Sequence, residues 1–369
     1  MAKTKRPTRS PLIKGRIAAY RRRMKASNIR ASLITNPHDY FYLTGFTGED
    51  SAVLMTPKDV HLISDGRFDE AIKAECPWAT VWMRKKLLND EIAKVCKELK
   101  IKSLAIQHEN MTLADHDALH KLAKSTRLRR SPPITSDMRE LKDETEVRLI
   151  RKSIRVAEDA FIAMRDAIRV GDSEIEMAAT LEYEMKRRGS SVPSFPTICA
   201  EGANAALPHA HPGKRKAKKG SAVLFDWGAT LGGYASDLTR MVFIGSIPPR
   251  IKEIYPIVLE AQMRAIAAIK PGERMCDIDK VARDVIAKAG YAEQFNHGLG
   301  HGMGLNVHES PSLSWRSKAK LKAGMVVTVE PGIYVGGIGG VRIEDDVLVT
   351  ARGSRMLSRL STKLEDAVV

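Results

Sequence analysis

The sequence predicts two domains of different class, an α/β layer over roughly the first 130 residues and then an α+β domain in which helix pairs alternate with acid-bearing β-hairpins. Helical and strand periodicities alternate up to residue 131. A proline pair, Pro132 and Pro133, then disfavours helix and ends the first unit. Beyond it, apolar stretches containing acids flank glycine-rich turns twice.

Residues 1–12 read as a basic, disordered tail, followed by a first domain over 13–131, a linker over 132–143 and a second domain over 144–369. In the first domain Leu12 to Ala26 reads as a helix, and 31–35, 52–56 and 59–64 read as strands. Helical stretches at 67–75, 88–99 and 112–124 bracket strands at 80–84 and 103–107, with no catalytic cluster among them. In the second domain Val147, Ile150, Ile154, Ala157, Phe161, Met164 and Ile168 recur at spacings of three and four, which predicts a long helix burying one stripe. Gly171 and Asp172 stop it, and Ser173 with Glu176 forms a capping-box pattern for a helix to Arg188. Two more helices, 251–269 and 276–288, lie between the hairpins. No internal repeat is evident in the residues, yet the order helix pair, hairpin, helix pair, hairpin predicts a pseudo-twofold layout.

A hydrophobic content of 43% and a charged content of 28% over 369 residues are those of a globular protein. No apolar run approaches the roughly 18 residues of a membrane helix, and the start lacks a secretory apolar core, so a cytoplasmic protein with no membrane partner is expected. Cys76, Cys96, Cys199 and Cys276 lack paired spacing and read as reduced thiols. The net charge of +16 is confined to two patches, eleven Lys or Arg in residues 1–30 and five in KRKAKK at 214–219. Solvated patches, rather than a nucleic-acid footprint, are the expected reading, although the acid-free start also resembles an organelle transit segment.

Five residues of the second domain have metal-ligand chemistry: Asp226 in FDWGAT, Asp237 in YASDLTR, His301 in GLGHGMG, Glu330 in TVEPGIY and Glu344 in VRIEDD. Four carboxylates carry about four negative charges at neutral pH, which balances two divalent cations and leaves a neutral histidine. Taken singly, each acid reads as a solvated strand-end residue. Their setting in apolar stretches favours metal, because an unpaired buried carboxylate is costly. Asp226 and Asp237 lie symmetrically about Leu231 and Gly232, so a hairpin centred there would oppose them directly; Glu330 and Glu344 are symmetric about residue 337 in VGGIGG. Two oxygen-held metals acidify a water and polarise a carbonyl, which points to amide or ester hydrolysis. The donor set favours Mn²⁺, with Co²⁺, Fe²⁺ and Zn²⁺ as alternatives. His209, His211 and His308 are spare histidines able to serve an oxyanion, with His308 and His209 the stronger pair. Arg342 shares a strand face with Glu344 and suits either a substrate carboxylate or the acids themselves. No GK[ST] follows GLGHGMG, which excludes a phosphate loop.

With PHAHPG, LFDWGA, YASDLTR, GLGHGMGLNVHESP, VEPGIY and VRIEDD in order, the chain resembles the Xaa-Pro aminopeptidase and Xaa-Pro dipeptidase (prolidase) family of pita-bread metallopeptidases. LITNPHDYFYLTGFTG and SDGRF resemble that family's creatinase/prolidase N-terminal domain, and the likeness spans roughly residues 15–362. The resemblance implies that Asp226 chelates one metal, that Asp237 and Glu344 bridge both, and that His301 and Glu330 complete the second. Glu330 would also be the general base, His209 and His308 would bind the scissile carbonyl and stabilise the tetrahedral intermediate, and Arg342 would support the site. Asn306 stands where the family often has an acid. The expected activity is an Xaa-Pro aminopeptidase acting on proline-containing peptides as a homodimer. The alternatives are an Xaa-Pro dipeptidase, or a non-catalytic protein using its basic patches on an anionic partner.

Overall fold

The structure, a computed structural model, describes residues 10–369. The expected tail lies outside them as far as residue 9. Ser10 already belongs to a helix, since its hydroxyl caps α1 (Pro11–Ala26) by accepting from the Ile13 N–H at 3.3 Å. The chain divides into two compact units, the first ending at Arg139 and the second running from Glu140 to Val369.

The first unit continues through β1 (Ser32–Ile34), α2 (Pro37–Thr44), β2 (Ala52–Met55), β3 (Val60–Ser64), α3 (Asp69–Glu75), β4 (Thr80–Met83), α4 (Leu88–Glu98), β5 (Ser103–Ile106), α5 (Leu113–Leu122), β6 (Arg127–Arg130) and α6 (Ile134–Arg139). One mixed sheet in the order β4-β3-β2-β1-β5-β6 carries a core that includes Leu33, Leu54, Ile63, Ile92 and Leu104. The sequence reading missed α2, whose Asn36 cap, Pro37 start and left-handed Gly45 stop are all written in the chain. It also missed β6, an RLRR edge strand without apolar alternation. The stretch 132–143, expected as a linker, holds α6 directly after the two prolines. Proline restricts the residue before it, and the helix begins after the pair.

The second unit opens with α7 (Glu144–Ala167) and α8 (Glu174–Arg187), each started by a complete capping box, Asp143 with Glu146 and Ser173 with Glu176. β7 (Ile198–Glu201), β8 (Ala222–Trp227), β9 (Thr230–Leu231), β10 (Tyr234–Ala235) and β11 (Leu238–Phe243) form the first sheet and hairpin, and α9 (Pro249–Ala268) and α10 (Met275–Lys288) follow. β12 (Gly300–Gly302), β13 (Glu309–Leu313), β14 (Val326–Val329), β15 (Gly332–Val335), β16 (Gly339–Arg342), β17 (Asp345–Val349) and β18 (Ser354–Met356) complete it. The predicted α7 stripe is buried, and Phe161 stacks on Trp227 with ring centroids 4.3 Å apart. The Trp227 indole also donates to the Ala157 carbonyl at 3.0 Å, so α7 anchors the residue next to Asp226.

The unit repeats itself. Gly220 and Gly324 are 104 residues apart, as are Asp226 and Glu330. Ser173 bridges Lys216 as Arg274 bridges Lys320. The Gly171 N–H donates to Ala217, and the Gly272 N–H to Leu321, from glycines with φ of +101° and +94°. These matched devices realise the helix-pair and hairpin order, although few side chains are shared.

One expectation about the hairpins fails. Gly232 and Gly233 both have positive φ, +58° and +84°, so they are the two central residues of a type I′ turn between Leu231 and Tyr234. The turn is therefore centred one residue later than the sequence reading placed it, and Asp226 pairs with Thr239 instead of Asp237. The second hairpin follows its predicted register: Val329 pairs with Asp345 and Gly332 with Arg342, which sets Glu330 opposite Glu344 in the break between the two ladders. Among the described residues no helix is long and apolar enough to cross a membrane.

Candidate active site

The acids sit where ladders end. Asp226 is the penultimate residue of β8, Asp237 precedes β11, and Glu330 and Glu344 occupy the gaps between β14 and β15 and between β16 and β17. A bridge from Thr239 to Glu344 joins the two hairpins, and the Thr239 hydroxyl donates to Glu344 Oε2 at 2.8 Å. His301 enters from β12 at a bulge. Its flanking glycines serve the sheet: a Cβ on Gly300 would stand 2.1 Å from the Thr328 carbonyl oxygen, and one on Gly302 2.3 Å from that of Ser310.

All five predicted ligands converge in one open cleft of about 900 Å³, which His209, His211, His308 and Arg342 also line. Ligand atoms lie within 4.8 Å of one another in three overlapping groups: Asp226, Asp237 and Glu344; His301, Glu330 and Glu344; and Asp237, His301 and His308. Among the acids Asp237 and Glu344 each belong to two groups, as does His301. The third brings His308 within reach of ligand atoms, and its ring stands edge-on to His301 with centroids 4.2 Å apart. His209 and His308 are exposed at the cleft.

The donor set fits a cation. The His301 Nδ1–H donates to the Gly302 carbonyl at 3.2 Å, which leaves Nε2 as a lone pair 3.5 Å from Asp237 Oδ2 and 3.4 Å from Glu330 Oε1. Asp226 Oδ1 and Glu344 Oε1 are buried and accept no hydrogen bond from the described residues. Burial, then the neighbouring Glu344, raises Asp237 well above the usual carboxylate range; burial, then Glu330, does the same to Glu344. Burial lifts Asp226 and carries Glu330 up to about 8. Burial, then His308, pushes His301 down to about 4, so its imidazole is neutral at pH 7. Divalent cations held here offset the desolvation and the mutual repulsion of the acids together.

Arg342 is buried and closely held. It donates to Asp226 Oδ2 at 2.5 Å, Tyr334 Oη at 2.7 Å, Thr239 Oγ1 at 3.0 Å and the Pro208 carbonyl at 3.3 Å. Of its two expected uses, these partners commit it to orienting acids rather than to a substrate carboxylate. Sequence reasoning missed Thr239, Tyr334 and His297. Tyr334 lies between Arg342 and His297 Nε2, 3.0 Å from the latter, while burial drops His297 to about 4. Only Thr239 had a legible signal, its position two residues after Asp237 on one strand face.

Residues 148–351 match Metallopeptidase family M24, and residues 16–141 match the Creatinase/Prolidase N-terminal domain. An Xaa-Pro dipeptidase of Pyrococcus horikoshii is 38% identical over 342 residues, covering 92% of this chain and 96% of that one. The solved Xaa-Pro dipeptidase from Bacillus anthracis superposes with a TM-score of 0.91 at 36% identity, over 97% of this chain and all of that one. The X-Pro aminopeptidase from Thermotoga maritima MSB8 gives 0.88 at 36% identity, over 94% and 100%. A cleft of converging acids and histidine within the matched region thus joins these likenesses, and the chain belongs to metallopeptidase family M24, a hydrolase with a creatinase/prolidase N-terminal domain ahead of its pita-bread domain.

Proposed function

We propose that this hydrolase is an Xaa-Pro dipeptidase with two divalent metals, cleaving the bond that precedes proline. The observation that carries the reading is the convergence of Asp226, Asp237, His301, Glu330 and Glu344 in one cleft. The sequence alone put an aminopeptidase first; the relatives named Xaa-Pro dipeptidase favour its alternative instead. A further feature supports the dipeptide. Arg316 lines the cleft, and no carboxylate among the described residues lies within ion-pair distance of it, which leaves it open to a substrate's C-terminal carboxylate.

When bound, the two cations, Mn²⁺ foremost, supply Lewis-acid polarisation of the carbonyl and an acidified water. Asp226 would hold one of them and His301 and Glu330 the other, with Asp237 and Glu344 placed to serve both. Glu330 accepts the proton from the attacking water and passes it to the leaving nitrogen of proline. His308, lowered from 6.5 mainly by burial, is neutral at pH 7 and donates an N–H to the developing oxyanion, with His209 beside it in the cleft lining. Arg342 positions Asp226 and Tyr334. A homodimer in the cytoplasm belongs to the same proposal.

The test compares turnover of Xaa-Pro with that of Xaa-Pro-Yaa-Zaa by the manganese-loaded protein. A preference for the dipeptide is expected, with Arg316→Ala raising KM for Xaa-Pro but not for its C-terminal amide. Faster cleavage of the longer peptide would restore the aminopeptidase reading, and inertness toward both would end the proposal.

A further inference from the structure

Apart from the peptidase cleft, the second unit has another concavity, of about 720 Å³, and its lining is basic. Four of the cations come from one helix. Arg148, Arg151, Lys152 and Arg155 follow one another on α7 at spacings of three, four and seven from the first, which sets them on one face. Arg355 on β18 and Arg359 just beyond it join them, and Glu144 is the one acid in the lining.

Little of this charge is neutralised. Lys142 in the same lining is bonded to Glu309 at 2.8 Å, and Arg155 to Glu158 at 3.0 Å. Arg148 reaches only the Thr145 hydroxyl, at 3.4 Å. Among the described residues no carboxylate lies within ion-pair distance of Arg148, Arg151, Lys152, Arg355 or Arg359. Like charges at helical spacings of three and four repel, and here they gather over an apolar floor that includes Val147, Leu348 and Leu357. A concave, low-dielectric wall focuses that positive potential.

Four of the five unpaired cations are arginines, whose planar fork matches phosphate oxygens in pairs. No aromatic side chain lines the concavity, so a nucleobase would find nothing to stack on. The volume suits one small molecule rather than a strand. We infer that this concavity is a second ligand site, binding a compact anion that carries several phosphate groups and gripping it by its phosphate chain. It shares no lining residue with the peptidase cleft, so it stands independently of the activity proposed above.

Calorimetric titration of the full chain with tripolyphosphate and with adenosine triphosphate, in salt of about 150 mM, tests this. Saturable binding of both at comparable affinity is expected. Charge reversal at Arg151→Glu with Arg355→Glu should weaken both by about tenfold or more, whereas Arg22→Glu with Lys25→Glu on α1 should change neither. Circular dichroism checks that each variant is folded, and Arg151→Gln with Arg355→Gln replaces the reversal if it is not. Absence of saturable binding, equal loss in the α1 variant, or displacement of both ligands by orthophosphate at matched ionic strength would each overturn the site. Tight binding of ATP without tripolyphosphate would overturn recognition through the phosphate chain.

Discussion

The two acid-bearing hairpins reach the same cleft by different registers. In the second, a single register runs from β14 and β17 into β15 and β16, and Glu330 and Glu344 are directly opposed at the join. In the first, the type I′ turn at Gly232 and Gly233 sets Asp226 against Thr239, and Asp237 lies on the diagonal. Diagonal neighbours across a ladder stand roughly 7 to 8 Å apart against about 5 Å for opposed ones. The offset leaves room for Thr239, whose hydroxyl donates to Glu344 of the other hairpin and accepts from Arg342. The shifted hairpin thus supplies the cross-link, and the symmetric one supplies the longer carboxylates that meet it.

Breaking that comparison most severely means removing ligands from each hairpin in turn. Asp237 and Glu344 each belong to two ligand groups, whereas Asp226 and Glu330 each belong to one. Asp237→Ala and Glu344→Ala should therefore retain almost no metal, and Asp226→Ala and Glu330→Ala should keep about one ion per chain. Activity should fall at least about a hundredfold in all four, since even residues that only orient ligands cost about 10 to 100-fold. Elemental analysis after gel filtration is the measurement. Equal stoichiometry across the four variants would remove the distinction between shared and single ligands.

The five ligands were legible because acids inside strongly apolar runs are anomalous and therefore visible. Their pairing was half legible. A hairpin's register depends on which residues take positive φ, and LGG offers two placements of a two-residue turn that differ by one position. Glu330 and Glu344 are symmetric about residue 337, which is the true centre of the turn in VGGIGG. Thr239, Tyr334 and His297 stayed hidden because their role depends on long-range contacts, such as Tyr334 meeting both Arg342 and His297. In the first unit, α2 was missed although its caps were written out, because a helix of eight residues is too short to show a stripe. The α7 stripe, over 24 residues, was unmistakable.

A gentler probe separates the two supporting threonines. Thr239→Val keeps the shape but leaves Glu344 Oε2 and the Arg342 Nε–H each without a partner, and a loss of about 10 to 100-fold in metal affinity or activity is expected. Thr328 is the counterpart beside the second hairpin, with its hydroxyl 3.4 Å from Glu330 Oε1. That contact is long, so Thr328→Val should cost less. Isothermal titration with Mn²⁺ compares them, and a larger loss at Thr328 would reverse the assignment of the cross-link to the first hairpin.

Proton linkage supplies a probe of the whole cluster. Glu330 has an ordinary value of 4.5 and is raised by burial to about 8, so the folded, metal-free protein holds a proton there that the unfolded chain has released. The stability carried by that proton is complete below 4.5 and is lost as pH climbs through about 8. Asp237 and Glu344 shift in the same direction. Chelator-treated protein should melt at a lower temperature at pH 8.5 than at pH 6, whereas metal-loaded protein should show the opposite trend, because cations displace the protons. Parallel pH trends in the two forms would mean that the acids do not share a cation.

The smallest expected effect lies in the turns themselves, where stability and register can be told apart. Gly337 has φ of +77° and open space, with nothing within 4 Å of where a Cβ would stand. Gly232 has φ of +58°, and there Leu149 Cδ2 lies 3.3 Å from the Cβ position. Alanine at either site incurs the left-handed penalty of about 1 to 2 kcal/mol, and at Gly232 the Leu149 side chain must also yield. Gly232→Ala should therefore lower the melting temperature by more than Gly337→Ala, with a difference of a few degrees at most, and asparagine should be milder than alanine at both because it tolerates that conformation. Activity per folded molecule should stay near the parent level in each variant, since a strained but intact turn leaves Asp226 opposite Thr239. Loss of activity without loss of melting temperature in Gly232→Ala would show instead that the first hairpin can slip by a residue, turning its acids away from the cleft.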